Sequence, residues 1–399
     1  MEVNRRATLP IEYTQCKDTG RIDAFKLDWK PGDPNPPHIF WDSDVGKWIE
    51  AAAYSLATHP DPVLAQRVDG VIDSIARAQQ PDGYLNVHFT IVEPGKRWTN
   101  LRDYHELYCA GHLIEGAVAY FEATGKRKFL DVMRHCADYI DSVFGPRDGQ
   151  KHGYCGHEEL ELALVKLYRA TDEKRYLNLA RYFIDERGRQ PHYFDLEAKA
   201  RGEDPHRNQS DYADCQSHLP VRKQTVVVGH AVRAMYLYCG MMDVAAATRD
   251  KSLRAACRRL WKNAVLKRMH ISGGMGSLHR NEGFSLDYDL PNENGYMETC
   301  AAIGLVFWAQ RMLNADLNGE YADVMERALY NGTISGVARD GKTFFYGNPL
   351  AANPGFVNDN HFMHEGYHYR RSEWFGCACC PPNIARMIAQ FPRFTYSTG

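Results

Sequence analysis

Apolar positions recur at helical spacing along most of the chain, beginning just after residue 41. Val45, Trp48, Ile49, Ala52 and Ala53 share one face, and Val68, Val71, Ile72 and Ile75 share another after Pro62. Two amphipathic helices in sequence predict a hairpin, closed by the turn-forming run Gln80-Pro81-Asp82-Gly83-Tyr84. The same theme returns. Ala123-Thr124-Gly125-Lys126-Arg127-Lys128-Phe129-Leu130 and Ala170-Thr171-Asp172-Glu173-Lys174-Arg175-Tyr176-Leu177 each place a turn and basic residues before an aromatic-Leu pair. Looser echoes occupy residues 243–253 and 314–321. Helical pairs returning about every sixty residues, with no alternating strands, suggest an all-α toroid of hairpins; a plain α-solenoid is the alternative that pattern alone leaves open. Residues 1–40 read as a lead-in segment, and Pro31, Pro34, Pro36 and Pro37 argue against helix there. Two connections, 191–225 and 273–295, look irregular and long enough to build or cover a binding site. Lys342-Thr343-Phe344-Phe345-Tyr346 reads as a short strand.

Composition narrows the function classes. The 48 basic and 50 acidic residues are well mixed and leave a net charge of −2, which gives no electrostatic footprint for nucleic acid or an anionic membrane. No apolar run is long enough to span a bilayer, and the start MEVNRRATLP lacks the apolar stretch of a signal peptide, so a cytoplasmic protein is expected. Eleven scattered cysteines do not resemble a disulfide framework. Most, including Cys136, Cys239 and Cys257, fall in apolar helical patterns and are expected in the core.

One cluster differs. Cys377-Ala378-Cys379-Cys380-Pro381-Pro382-Asn383 sets three thiols within four residues and follows them with two prolines suited to a helix start. The positive end of a helix favours thiolate, the form that binds zinc or attacks an electrophile. Glu298-Thr299-Cys300, after a loop rich in Asn and Gly, adds a carboxylate and a fourth sulfur. Glutamate and cysteine two residues apart face different sides of a regular helix, so joint ligation requires a helix start or an irregular turn. Together the two stretches suffice for tetrahedral zinc; separate buried thiols and a surface glutamate are the alternative. His105, His157 and His230 each stand near the start of a predicted helix, where they would line a polar pocket or merely cap and hydrogen bond. Glu282 lies in a loop beside Phe284, where partial burial would raise its carboxyl toward the range of a general acid; many loop glutamates simply meet solvent.

Taken in order, HELYCAGH (residues 105–112), Gly229-His230, Glu282-Gly283-Phe284, Tyr296-Met297-Glu298-Thr299-Cys300, Phe345-Tyr346-Gly347-Asn348-Pro349 and the cysteine cluster resemble the β-L-arabinofuranosidases of glycoside hydrolase family 127 over nearly the whole chain. The resemblance implies an (α/α)6 barrel over residues 41–399, a zinc ion held by Glu298, Cys300, Cys379 and Cys380, Cys379 as nucleophile and Glu282 as general acid/base. It further implies substrate contacts from His105, His157, His230, Glu326 and Tyr346, and gives Cys377 no role. The family's C-terminal β-sandwich domains are expected to be absent, with a shortened lead-in. The implied activity is a retaining exo-glycosidase releasing β-L-arabinofuranose, or a related rare furanose, from a glycan or glycopeptide, with a homodimer as one assembly left open. Two rivals remain at this stage: a non-catalytic, zinc-stabilised carbohydrate-binding barrel, and an α/α-barrel sugar epimerase that would work through histidines and need no zinc.

Overall fold

Helix boundaries fall where short-range hydrogen bonding sets them. The computed structural model describes residues 1–205, 211–351 and 370–395, and among these the regular elements are helices, with only isolated β-bridges besides. Helix α1, Leu9–Asp18, follows a π-helical turn, Asn4–Thr8, and corrects the expectation of a helix-free lead-in. The prolines that argued against helix all come later in the chain. Pro10, the one proline inside α1, follows directly on the π-helical turn.

The chain divides into two compact units, one of Leu9–Gln209 and one of Met1–Thr8 with Ser210–Gly399. In the first, α2 (Trp41–Thr58) and α3 (Pro62–Ala78) form the expected hairpin. Pro62 opens α3 as expected, and the Asp61 carboxylate before it accepts hydrogen bonds from the Val63 and Leu64 amides. The short α4 (Val87–Ile91) precedes two more hairpins: α5 (Glu106–Thr124) with α6 (Lys128–Val143), and α7 (Leu160–Thr171) with α8 (Lys174–Glu186). A further helix, α9 (Tyr193–Ala200), lies inside the connection expected to be irregular. The second unit repeats the theme with α10 (Ala231–Thr248) and α11 (Lys251–Asn263), then α12 (Thr299–Asp316) and α13 (Gly319–Arg327), and ends with α14 (Cys380–Gln390) and α15 (Pro392–Thr395).

The echoed joints share a backbone device. The residue closing α5, α7, α10 and α12 is left-handed in each case: Gly125 (φ 71°), Asp172 (φ 58°), Arg249 (φ 57°) and Leu317 (φ 48°). Only one of these is glycine, which explains why the repeat looks degenerate in sequence while the geometry is conserved at these four joints; α2 instead closes on extended His59 (φ −138°). Within each hairpin the partners differ in burial. In α5 every residue from Glu106 to Tyr120 is buried, whereas α6 buries only the stripe Phe129, Leu130, Met133, Cys136, Ala137 and Ile140. Each large apolar side chain in such a stripe contributes roughly 1.5–3 kcal/mol. Helices α2 and α5 pack backbone to backbone: a Cβ on Gly46 would lie 2.9 Å from the His112 carbonyl oxygen, so only glycine permits this approach. The expected strand at 342–346 is not formed. Phe344 bridges separately to Val337 and to Ser372, and Gly347 bridges to Glu298, so no two bridges extend into a ladder. Cys136, Cys239 and Cys257 are buried, as expected for core residues.

Candidate metal centre

Two helix starts carry the candidate ligands, all in the second unit. Glu298 is the residue before α12 and has extended backbone (ψ 137°), which turns its carboxylate away from the helical path and toward the thiol of Cys300 in the first turn. This is the irregular start that joint ligation required. Cys379 precedes α14 and Cys380 opens it, with Pro381 next, so the thiols do lie at a helix N-terminus. The Cys300 and Cys380 sulfurs are 3.3 Å apart, and those of Cys379 and Cys380 3.7 Å. Glu298 Oε1 lies 3.5 Å from the Cys379 sulfur and 3.8 Å from that of Cys380. A tetrahedral zinc with bonds of about 2.3 Å to sulfur and about 2.1 Å to oxygen requires ligand–ligand edges of roughly 3.6–3.8 Å, close to those observed. Glu298, Cys300 and Cys380 are buried and Cys379 is half-buried.

The electrostatics suit a cation at this cluster. Burial pushes the Glu298 carboxyl well above the usual carboxylate range, and the neighbouring Cys379 and Glu282 push it the same way. Burial likewise pushes the Cys380 thiol up, reinforced by its contacts with Cys300 and Cys379. A divalent cation reverses both effects by taking the place of the protons. The donor set, one oxygen and three sulfurs, suits zinc.

The Phe345–Asn348 stretch supplies the next contact. The Tyr346 hydroxyl accepts a hydrogen bond from Cys379 at 3.1 Å and reaches the Cys377 sulfur at 3.6 Å, so the unassigned cysteine adjoins the site through Tyr346. Glu282 arrives on the 273–295 loop with φ 53°. Its neighbour Gly283 crosses Gly229 so closely that a Cβ on Gly283 would sit 2.2 Å from the Gly229 carbonyl oxygen. That crossing brings Glu282 Oε2 to 3.0 Å from His230 Nε2. His230 Nδ1 accepts the Val232 amide at 3.2 Å, which leaves Nε2 as the N–H that donates to Glu282. Ligating atoms of His230, Glu282 and Glu298 all lie within 4.8 Å of one another, which joins the candidate acid/base to the metal set.

One expectation is corrected here. Burial does raise the Glu282 carboxyl, but the hydrogen bond and charge of His230, helped by Tyr296 and Arg233, outweigh it and hold Glu282 below the ordinary carboxylate range. Tyr296 is a residue the sequence reading missed as a neighbour of Glu282, although its place two residues before Glu298 was a usable signal.

His105 and His157 belong to the first unit. His105 stands immediately before α5 and His157 just ahead of α7, with ring centroids 5.6 Å apart. Tyr108, also missed, packs 4.2 Å from His157 and accepts a hydrogen bond from the buried Lys47 ammonium at 2.9 Å. Its spacing of three from His105 on one helix face could have identified it. Glu326 is exposed near the end of α13, beside Asp323, Arg327, Tyr330 and Asn331, and makes none of the contacts that join Glu282, Glu298, Tyr346 and the cysteines among the described residues. Among the described residues no helix is long and apolar enough to cross a membrane.

Comparison with known proteins adds an independent line. Residues 1–393 match the family model described as beta-L-arabinofuranosidase, GH127 catalytic domain. The chain is 45% identical over 366 residues to the non-reducing end beta-L-arabinofuranosidase of Bifidobacterium longum subsp. longum, covering 90% of this chain and 55% of that protein. It superposes on a GH127 beta-L-arabinofuranosidase from Geobacillus stearothermophilus T6 with a TM-score of 0.93 and 51% identity, covering 100% of this chain and 64% of the other. The chain therefore spans little more than half the length of the curated relative. A cellobiose 2-epimerase from Bacillus thermoamylovorans B4167 shares the fold alone, at a TM-score of 0.52 and 9% identity over 88% of this chain and 87% of that one. The fold class is all-α, of the (α/α)6-barrel type, as expected.

Proposed function

The chain belongs to glycoside hydrolase family 127, and from that premise we propose that it hydrolyses terminal β-L-arabinofuranosides with retention of configuration, using Cys379 as nucleophile and Glu282 as general acid/base. The observation that carries this reading is the position of Cys379. Of the four clustered groups it is the one not fully buried, and it is in contact with Glu298, Cys380 and Tyr346 at once. A thiol held by buried neighbours yet open on one side is placed to attack.

Glu298, Cys300, Cys379 and Cys380 would hold the zinc, whose charge keeps the Cys379 sulfur ionised and aims it. In the first step the sulfur attacks the anomeric carbon as the glycosidic C–O bond breaks, and Glu282 gives its proton to the departing oxygen. The hydrogen bond from His230 fixes the position of the Glu282 carboxylate, which has to take up a proton before the first step in order to give it to the departing oxygen. In the second step Glu282 takes a proton from water, the water oxygen bonds to the anomeric carbon, and the C–S bond breaks to return the thiolate. Two displacements at one carbon retain configuration. His105, His230 and Tyr346 are assigned to the sugar from their motifs, and His157 and Glu326 from the family resemblance alone.

Hydrolysis of an aryl β-L-arabinofuranoside by the zinc-loaded chain tests the reading. Cys379→Ala is expected to lower turnover by about 10⁴-fold or more, and Glu282→Ala by about 10²–10⁴-fold. Mass spectrometry of the wild-type chain quenched during turnover is expected to show a pentosyl adduct on Cys379. Turnover that survives Cys379→Ala but disappears with His230→Ala would overturn the assignment.

A further inference from the structure

Thr299 lies between two candidate ligands, is fully buried, and contributes no ligating atom to the centre. Its amide donates to the Tyr346 carbonyl at 2.8 Å and its hydroxyl donates to the Phe345 carbonyl at 3.0 Å. The same hydroxyl accepts the Asn348 side-chain amide at 2.8 Å, and that amide also reaches the Gly332 carbonyl at 3.3 Å. Asn348 completes the connection by donating its backbone N–H to the Met297 carbonyl at 3.0 Å. The 345–348 segment is thereby fastened along 297–299 at the start of α12. Its other contacts run to α14: the Tyr346 carbonyl accepts from Cys380 at 3.6 Å and the Tyr346 hydroxyl accepts from Cys379 at 3.1 Å. One short segment therefore touches both ligand-bearing helix starts, whose thiols are 80 residues apart in sequence.

We propose that Thr299 and Asn348 are positioning residues, a clasp that fixes the spacing between the Glu298/Cys300 and Cys379/Cys380 pairs and so sets the affinity of the centre for its metal. This deepens the zinc assignment and rests on it. Thr299 uses its hydroxyl as donor and acceptor together, so Thr299→Val keeps the side-chain shape while leaving the Phe345 carbonyl and the Asn348 amide without that partner. Residues that orient ligands from outside the coordination shell typically change metal affinity by about 10–100-fold.

Zinc dissociation constants measured by chelator competition on the full chain test the clasp, alongside urea unfolding of the metal-free chain and the thiolate-to-cobalt absorption of the cobalt-loaded chain. Thr299→Val and half-exposed Asn348→Ala are each expected to weaken zinc binding by about 10–100-fold and to shift the cobalt band. The double variant is expected to be no weaker than the worse single one, since both act through one contact. Thr299→Ser, which retains the hydroxyl, is expected to bind zinc as the wild type does. Losses of metal-free stability with unchanged zinc affinity and an unshifted cobalt band would overturn the proposal, as would independent, additive effects. A wild-type chain that takes up no zinc would overturn the ligand assignment itself, and with it the clasp.

Discussion

Among the described residues, two of the side-chain sets that bring metal-ligating atoms within 4.8 Å of one another differ in what answers their charge. One is Glu298, Cys300, Cys379 and Cys380 in the second unit; the other is His112, Glu115 and Glu159 in the first, all buried. In the His112 set, a cationic partner, Lys166, already accompanies the carboxylates. His112 Nδ1 lies 3.2 Å from Glu159 and 3.7 Å from Glu115, while the Lys166 ammonium bonds Glu115 and lies 3.3 Å from Glu50. In the cysteine set burial together with Cys379 and Glu282 drives the Glu298 carboxyl toward its protonated form, with His230 close by and bonded to Glu282. Proximity of ligating atoms is thus shared, and the Lys166 ammonium bonded to Glu115 is what sets the His112 group apart.

The contrast can be broken most sharply at Cys380. Cys380→Ser is expected to bring zinc content from about one per chain to near zero, and to erase the difference in unfolding stability between zinc-loaded and chelated protein. That difference should be about 4 kcal/mol when free zinc is a thousandfold above its Kd. Metal analysis after gel filtration and paired urea unfolding check both. A second equivalent of zinc lost on replacing His112 would erase the distinction between the two sets.

Lys166→Met tests the other side. It removes the ammonium from Glu50 and Glu115, whose side chains are 1% and 2% exposed, and is expected to destabilise the chain by about 3–5 kcal/mol with zinc content unchanged. Restoration by a zinc ion in that variant would show that a cation can substitute for the lysine.

Glu106, next to His105, is a smaller and pH-dependent case. Burial raises its carboxyl to about 8, against opposing hydrogen bonds from Tyr84 and the Trp98 amide. The folded chain therefore keeps a proton that the unfolded chain releases above its ordinary value, and this contribution to stability is lost as pH rises from about 4.5 through 8. The slope from this one group is at most about 1.4 kcal/mol per pH unit. Unfolding of wild type and Glu106→Gln at pH 5.5 and 7.5 should show a smaller pH dependence in the variant. Equal slopes would place the proton elsewhere.

The smallest effect is expected at a helix cap that belongs to neither set. Asp61→Ala removes the acceptor of two amides at the start of α3 and should cost about 1 kcal/mol, with zinc affinity unaltered. Chemical unfolding and chelator competition on one preparation give both readings.

The hairpins were legible because their causes are local. An aspartate followed by proline opens α3 through bonds made within three residues, and the apolar stripe of α6 needs only its own 3.6-residue period to be read. The placement of the cysteine run at the start of α14 was legible for the same reason. Where reading failed, a distant group or an over-extended local rule decided. Prolines at 31–37 were allowed to speak for residues 9–18, which they do not reach. Phe344 found single bridge partners instead of a neighbouring strand.

The sequence by itself determined the helical class, the positions of the hairpin joints and an inventory of thiols and carboxylates at helix starts. These depend on backbone hydrogen bonds and side-chain periodicity within a turn or two. Only the tertiary structure decided which of those groups meet, that His230 lowers the Glu282 carboxyl against its burial, and that Tyr346 and the 345–348 segment link α12 to α14. The physical reason is that a carboxyl's ionisation and a metal site's spacing are set by charges and contacts a few ångströms away in space. Here those charges and contacts come from residues some 30 to 80 positions away along the chain.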